Sequence, residues 1–282
     1  MPRGCGRRAK SIPSCTTITI LAFALSPFAP QSNAQAPQQA RAAQNTAPYY
    51  TSQSIVHAAT QTVEALAPNT IATIYGANLA YDTVAAGNTS ISGATLPQTL
   101  AGVTVVVNGI LANLFFVSPT QINFLIPYDL TAGTVNVFVA RQGTSGPLVP
   151  IRLNSTAPGL FQFKGYVIAT HLDGSLISEN APATASEIIV IYVAGLGRTS
   201  PDTTSGKLVT SAATIVAFSQ TRALLNGAPC PQSGLLYVGL APGFAGLYQI
   251  NLRLPNTLPV NPELRIQVGS QISPPGIPLA VQ

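Results

Sequence analysis

The chain is short of charge. Of its 282 residues, 13 are Lys or Arg and 8 are Asp or Glu, 7% in all, where a soluble domain is ordinarily about a quarter charged. That shortage excludes an acidic or basic disordered chain and a heptad-patterned coiled coil. It also argues against a phosphate-handling enzyme, which clusters Lys, Arg and acidic metal ligands. Tryptophan is absent and cysteine is limited to Cys5, Cys15 and Cys230. An apolar run long enough to span a bilayer, about 20 residues, is also missing. The longest candidate, Ile18 to Phe28, is interrupted by Pro27 and followed by Pro30.

What is present at the start reads as an export signal. Arg3, Arg7, Arg8 and Lys10 make a basic n-region, the stretch through Ile20-Leu21-Ala22-Phe23-Ala24-Leu25 makes the apolar h-region, and Ser32-Asn33-Ala34-Gln35-Ala36 supplies small residues for cleavage after Ala34 or Ala36. Residues 1–36 are therefore expected to be a signal peptide, with no membrane span left after cleavage. The net charge of +5 and pI near 9.3 look like an affinity for nucleic acid. Removing the signal takes four basic residues, so 13 − 4 = 9 bases face 8 acids and the balance falls to +1. The basicity belongs to the address, and no nucleic-acid partner is expected. Cys5 and Cys15 leave with the signal. Cys230, in Ala228-Pro229-Cys230-Pro231, has no partner within the chain and reads as a packed small residue or an interchain thiol. The expected location is extracellular or in the cell envelope.

Residues 37–53, rich in Gln and Ala and punctuated by Pro37 and Pro48, read as a flexible linker. The body reads as short strands: 71–75, 103–107, 114–117, 121–126, 135–139, 166–170, 187–193, 222–225, 235–238, 246–254 and 264–268. Gly, Pro or Asn separate them, and this spacing is that of sandwiches or barrels. Asn108-Gly109 and Asn226-Gly227 are strong hairpin signals. The chain also repeats. Ile71-Ala72-Thr73-Ile74-Tyr75 returns as Ile188-Ile189-Val190-Ile191-Tyr192 and Gln121-Ile122-Asn123 returns as Gln249-Ile250-Asn251, with the Asn-Gly pairs in the same order between them. Two tandem β domains are expected, at 54–153 and 154–282.

Three strings carry a family resemblance: Ala67-Pro68-Asn69-Thr70-Ile71-Ala72-Thr73-Ile74-Tyr75-Gly76-Ala77-Asn78-Leu79, Val117-Ser118-Pro119-Thr120-Gln121-Ile122-Asn123-Phe124 and Gly239-Leu240-Ala241-Pro242-Gly243-Phe244-Ala245-Gly246-Leu247-Tyr248-Gln249-Ile250-Asn251. Together they resemble an uncharacterised C-terminal domain family of secreted Solibacter-type acidobacterial proteins. The opening block also resembles an IPT/TIG domain, which is immunoglobulin-like. The resemblance implies an all-β fold of two tandem immunoglobulin-like sandwiches, with no catalytic motif to carry over.

Motifs for chemistry are sparse. There is no HExxH and no GxSxG. His171 with Asp173 and a serine such as Ser175 is the best nucleophilic constellation, but Asp173-Gly174-Ser175 is turn chemistry. Glu179 and Glu187 are the nearest carboxylate pair for glycoside hydrolysis, and they read more simply as a loop residue and a solvated strand start. Asp202 stands alone for calcium. No catalytic, cofactor or metal residue is therefore assigned and no cofactor is expected. The function expected is a secreted, non-catalytic module for adhesion, binding or structure, with an extracellular polysaccharide or cell-surface protein as partner. The alternative is an extracellular hydrolase of polysaccharides or esters, using Glu187 or His171.

Overall fold

The computed structural model describes residues 46–282 except 88, 89 and 92. The signal peptide expected at 1–36 and the linker residues 37–45 lie outside the described residues. Among those described there is no α-helix, only single 3-10 turns at Ser52–Ser54, Phe218–Gln220 and Gln232–Gly234. None of these is long and apolar enough to cross a membrane.

The first part of the chain contains β1 (Ile55–His57), β2 (Ile71–Tyr75), β3 (Val84–Ala85), β4 (Val103–Val107), β5 (Ile110–Leu111), β6 (Asn113–Val117), β7 (Gln121–Leu125), β8 (Gly133–Arg141), β9 (Thr144–Ser145) and β10 (Val149–Leu153). They form two antiparallel sheets, ordered β1-β2-β7-β6-β3 and β10-β8-β4-β5, with β9 also on β8. Taken in chain order, these are the A-B-E-D and G-F-C sheets of an immunoglobulin-like sandwich. Alternation places the core. Val103, Val105 and Val107 of β4 are fully buried and share one cluster with Val135, Val137 and Val139 of the neighbouring β8 and with Ile74, Leu114, Ile122 and Phe124 of the other sheet. Each such side chain contributes about 1.5–3 kcal/mol on burial.

The second part contains β11 (Gly159–Leu160), β12 (Gln162–Phe163), β13 (Tyr166–Val167), β14 (Ala169–Thr170), β15 (Ile188–Ala194), β16 (Thr199–Ser200), β17 (Thr214–Ile215), β18 (Thr221–Leu225), β19 (Ala228–Pro229), β20 (Leu235–Leu240), β21 (Tyr248–Arg253), β22 (Leu264–Val268) and β23 (Gln271–Ile272). One sheet runs β11-β15-β21-β20-β17-β16 with β14 also on β15, a second runs β19-β18-β22-β23, and β12-β13 stand apart as a hairpin. A separate core, including Ile189, Ile191, Val238, Ile250, Leu264 and Ile266, fills it.

The internal repeat is a repeat of register. Ile55 and Val56 pair with Ile74 and Thr73, and Ala169 and Thr170 pair with Ile191 and Val190. Tyr49 bridges Ala77 as Gly159 pairs with Ala194. Both copies carry a register shift at the same place, between Leu114 and Phe116 and between Leu235 and Tyr237. Asn108-Gly109 and Asn226-Gly227 both take positive φ at both residues (51° and 83°, 49° and 79°). That is the primed hairpin turn whose twist matches its strands.

Two expectations need correction. Residues 46–53 are not the described part of a flexible linker. Tyr50 is 2% exposed, donates to the Pro147 carbonyl at 2.6 Å and accepts the Val139 N–H at 2.7 Å, and burial pushes its pKa up to about 12. Arg141, itself buried, donates to the Asn78 and Thr46 carbonyls and lies 4.0 Å over the Tyr81 ring. Strand β10 was not foreseen, because Pro150 interrupts it. Pro150 is exposed on an edge strand, where the missing donor costs little, while Val149, Ile151 and Leu153 point inward.

A third apolar cluster joins the first and second parts of the chain. The outward faces of β2, β7 and β15 are not polar where they should be. Ile71 and Leu125, cross-strand partners, and Tyr192 and Ala194 are buried together with Phe161, Ala241, Ala245 and Leu247. Burial on both faces is why β15, Ile188 to Ala194, reads as an unbroken apolar run. Gly246 (φ 65°) lets the two parts approach, since a Cβ there would overlap the Leu125 side chain. Polar bonds complete the seam: Asn69 donates to the Tyr248 hydroxyl at 3.1 Å, and the Leu96 N–H donates to the Gly206 carbonyl at 3.0 Å.

Candidate functional site

The sequence candidates do not come together as a catalytic set. Asp173 accepts from the Ser175 N–H at 2.9 Å and the Ser175 hydroxyl at 2.6 Å. It closes its own turn, and those two bonds hold its carboxyl below the usual range. His171 turns instead to Glu187, with Nδ1 2.5 Å from Oε1. Its Nε2 lies 3.2 Å from the Ala181 carbonyl. Two acceptors on two nitrogens require the doubly protonated ring. Partial burial by itself would lower the His171 pKa; the Glu187 bond, then the Ala181 carbonyl, overcome it, and the net shift is upward. Glu187 moves the other way. Partial burial would raise it, but the Thr184 N–H at 2.9 Å and His171 bring it down. Glu187 is thus a paired carboxylate rather than the solvated strand start expected.

Asp202 also stays within the fold. It accepts from the Tyr128 hydroxyl at 2.7 Å and from Arg198 at 2.7 Å, and these two donors lower its pKa. Among the described residues no three His, Cys, Asp or Glu side chains gather to hold a metal. Cys230 is free and buried, and burial pushes its thiol up to about 11.

What the His171–Glu187 pair does is hold a turn. Ser178 and Ala181 exchange backbone bonds of 3.0 and 3.1 Å, which leaves Glu179 and Asn180 at the tip. His171 fastens that tip through the Ala181 carbonyl. Facing it is the hairpin β12-β13, whose turn residues Lys164 and Gly165 have φ 50° and 83°. Phe163 and Tyr166 are direct cross-strand partners, so their rings share one face. The Tyr166 hydroxyl donates to Glu179 at 2.8 Å, and the Lys164 ammonium lies 5.5 Å from the Phe163 ring centroid. The Tyr166 pKa is raised, first by that bond to Glu179. Hairpin and turn enclose an open cavity of about 270 Å³ with Val167, Leu176 and Ile177 as its apolar lining. Sequence reasoning singled out His171, Glu179 and Glu187 but missed Phe163, Lys164, Tyr166 and Asn180. A short aromatic-Lys-Gly-aromatic string carries little signal until the hairpin closes.

His57 was also missed. It sits buried at the seam, with Nε2 donating to the Ala157 carbonyl at 3.1 Å and Nδ1 accepting from the Ala59 N–H at 3.1 Å. Those roles fix it neutral, and burial lowers its pKa to about 4.

No family model matches the chain, and no curated protein matches it. Solved structures are similar to the chain only at very low identity and low TM-score. A surface glycan-binding protein (SGBP-B) of the Bacteroides ovatus mixed-linkage glucan utilization locus, solved with a heptasaccharide, is 11% identical with a TM-score of 0.30, covering 77% of this chain and 42% of its own. The surface glycan-binding protein PbSGBP-B of Prevotella bryantii is 12% identical with a TM-score of 0.26, covering 82% and 42%. The tandem Ig repeats of Dlar are 10% identical with a TM-score of 0.19, covering 78% and 92%. The chain thus spans less than half the length of the two glycan-binding proteins. Its own sheet order carries the assignment of class: an all-β protein with immunoglobulin-like sandwiches.

Proposed function

We propose that this chain is an exported, non-catalytic module that binds or adheres outside the producing cell, in the extracellular space or cell envelope, through two tandem domains at 54–153 and 154–282. The resemblance to the secreted Solibacter-type domain family implies export alone; the binding role is read from the export signal, the tandem repeat, the low charge and the sparse catalytic motifs. The observation that carries the reading is the state of His171. A general base needs a free nitrogen within reach of a nucleophile, whereas both nitrogens of His171 face acceptors within the fold and Ser175 bonds Asp173. The polar groups of this region shape a surface instead of driving a reaction. The chain from residue 37 should therefore bind insoluble envelope or matrix material in a sedimentation assay and turn over no ester or glycan substrate. Hydrolysis that disappears in His171→Ala or Glu187→Gln would overturn it.

A further inference from the structure

We infer that the cavity between the β12-β13 hairpin and the Ser178–Ala181 turn is a carbohydrate subsite that takes a neutral sugar ring. The inference rests on the binding-module reading and names its site and ligand class.

The argument begins with what the cavity presents. Phe163 is an exposed phenylalanine that lines the cavity, and its cross-strand partner Tyr166 lines the same cavity. An aromatic face is electron-rich and attracts the electropositive C–H face of a ring laid against it. Around the rings stand groups of both hydrogen-bonding senses. Glu179 accepts, Lys164 donates and Asn180 does both, and all three line the cavity. A ring with an apolar face and a hydroxyl rim uses each of these. The volume, about 270 Å³, lies just under the range of about 300–1,000 Å³ common for small-ligand pockets, which suits a single ring of a chain whose remainder stays in solvent.

Charge selects among ligands with aromatic affinity. Glu179 already receives the Tyr166 hydroxyl and holds its carboxylate at the mouth of the cavity. A phosphate or uronate would meet that negative charge, and the single ammonium of Lys164, resting over Phe163, offsets one charge and no more. A nucleotide or acidic polymer is therefore disfavoured.

The site is also built rather than incidental. Tyr166 fixes Glu179, and His171, bonded to Glu187, fixes the backbone of the turn at Ala181. The first sandwich offers a natural contrast. From the Tyr49 bridge to Ile55 of β1 its chain takes six steps. The matching stretch from Gly159 to Ala169 takes ten, and the four additional residues are raised as the aromatic hairpin. A shared frame was lengthened at the place where the rings emerge.

The test is calorimetric titration of the chain from residue 37 with neutral hexasaccharides of glucose, mannose and xylose, and with oligogalacturonate as the acidic probe. At least one neutral probe should bind. Phe163→Ala should weaken it about tenfold, the equivalent of about 1.4 kcal/mol. Tyr166→Phe, which keeps the ring but frees Glu179, should weaken it by a smaller factor of about three. Tyr75→Ala, an exposed ring on the other sandwich, should leave binding unchanged, and all three variants should keep the wild-type thermal midpoint within a few degrees. Neutral binding that is indifferent to Phe163 would overturn the site. Tighter binding of oligogalacturonate, or no binding of any neutral probe, would overturn the ligand class. Envelope sedimentation of Phe163→Ala separates these results from failure of the module reading, because a module acting elsewhere on its surface would still sediment.

Discussion

The two sandwiches share one frame and differ in where it is lengthened. From the Asn-Gly hairpin to the next long strand the second copy gains three residues (Asn108 to Leu114 against Asn226 to Leu235), which form the 3-10 turn at Gln232–Gly234. From there to the Gln-Ile-Asn strand it gains seven more (Leu114 to Gln121 against Leu235 to Gln249), which place Ala241, Ala245 and Leu247 in the seam. A further four raise the Phe163–Tyr166 hairpin. The common residues make two cores, while the additions supply much of the contact between them and the cavity lined by Phe163 and Tyr166. Repeats diverge most informatively where their lengths do, because strand registers tolerate no slip without turning every side chain over.

The largest effect should come from wedging the seam apart. Gly246→Ala places a Cβ against the Leu125 side chain and the Asn69 carbonyl oxygen across the seam, at a positive φ. Overpacking costs about 1–3 kcal/mol and the left-handed backbone about 1–2 more. Urea unfolding should therefore lose about 3 kcal/mol, and the two sandwiches should begin to unfold separately. By contrast Gly227→Ala, at a similar φ but in open space, should lose only the backbone part.

Next in size is His57. Unfolded, its pKa is 6.5; folded, it is about 4. Between those values the unfolded chain binds the additional proton, so stability is complete above pH 6.5 and falls as pH drops toward 4. The full difference corresponds to about 3 kcal/mol. Unfolding free energies at pH 7 and 4.5 should show this slope in the wild type and not in His57→Gln. The first sandwich without its partner would have no Ala157 carbonyl for His57, so this measurement also reports on the seam.

The smallest effect is that of His171 and Glu187. His171 is raised, so its contribution is complete below pH 6.5 and disappears as pH rises through its folded value. Glu187 is lowered, so its contribution is complete above pH 4.5 and disappears as pH falls. The pair is strongest between those limits. Both side chains are about one-fifth exposed and such pairs contribute under about 1 kcal/mol. Glu187→Gln should barely move the thermal midpoint. It should weaken neutral-sugar binding two- to threefold at pH 6 by loosening the Ala181 turn, and the loss should shrink as pH rises through the folded pKa of His171.

Much of the architecture was legible. Leu264–Val268 alternates cleanly, and the Asn-Gly turns mark the β4-β5 and β18-β19 hairpins, so strands and repeat followed from local chemistry. The seam was harder to see. Leu125, Tyr192 and Leu247 look like ordinary core residues, and only assembled sheets show that they face outward. His57 drew no attention because its neutral state depends on Ala157, 100 residues away. The cavity depended on residues that are unremarkable singly. Glu179 and Glu187 were weighed as an acid pair, yet one accepts from a tyrosine and the other from a histidine.

The central claim is that the lengthened second copy, not the first, meets the ligand. Titrating a neutral hexasaccharide into isotope-labelled protein and following backbone amide shifts tests it directly. The expected shifts fall on Phe163 to Val167 and Ser178 to Asn180, with the matching first-copy stretch Tyr49 to Ile55 silent. Shifts centred on the first sandwich, or none in the hairpin while binding is saturated, would contradict the account.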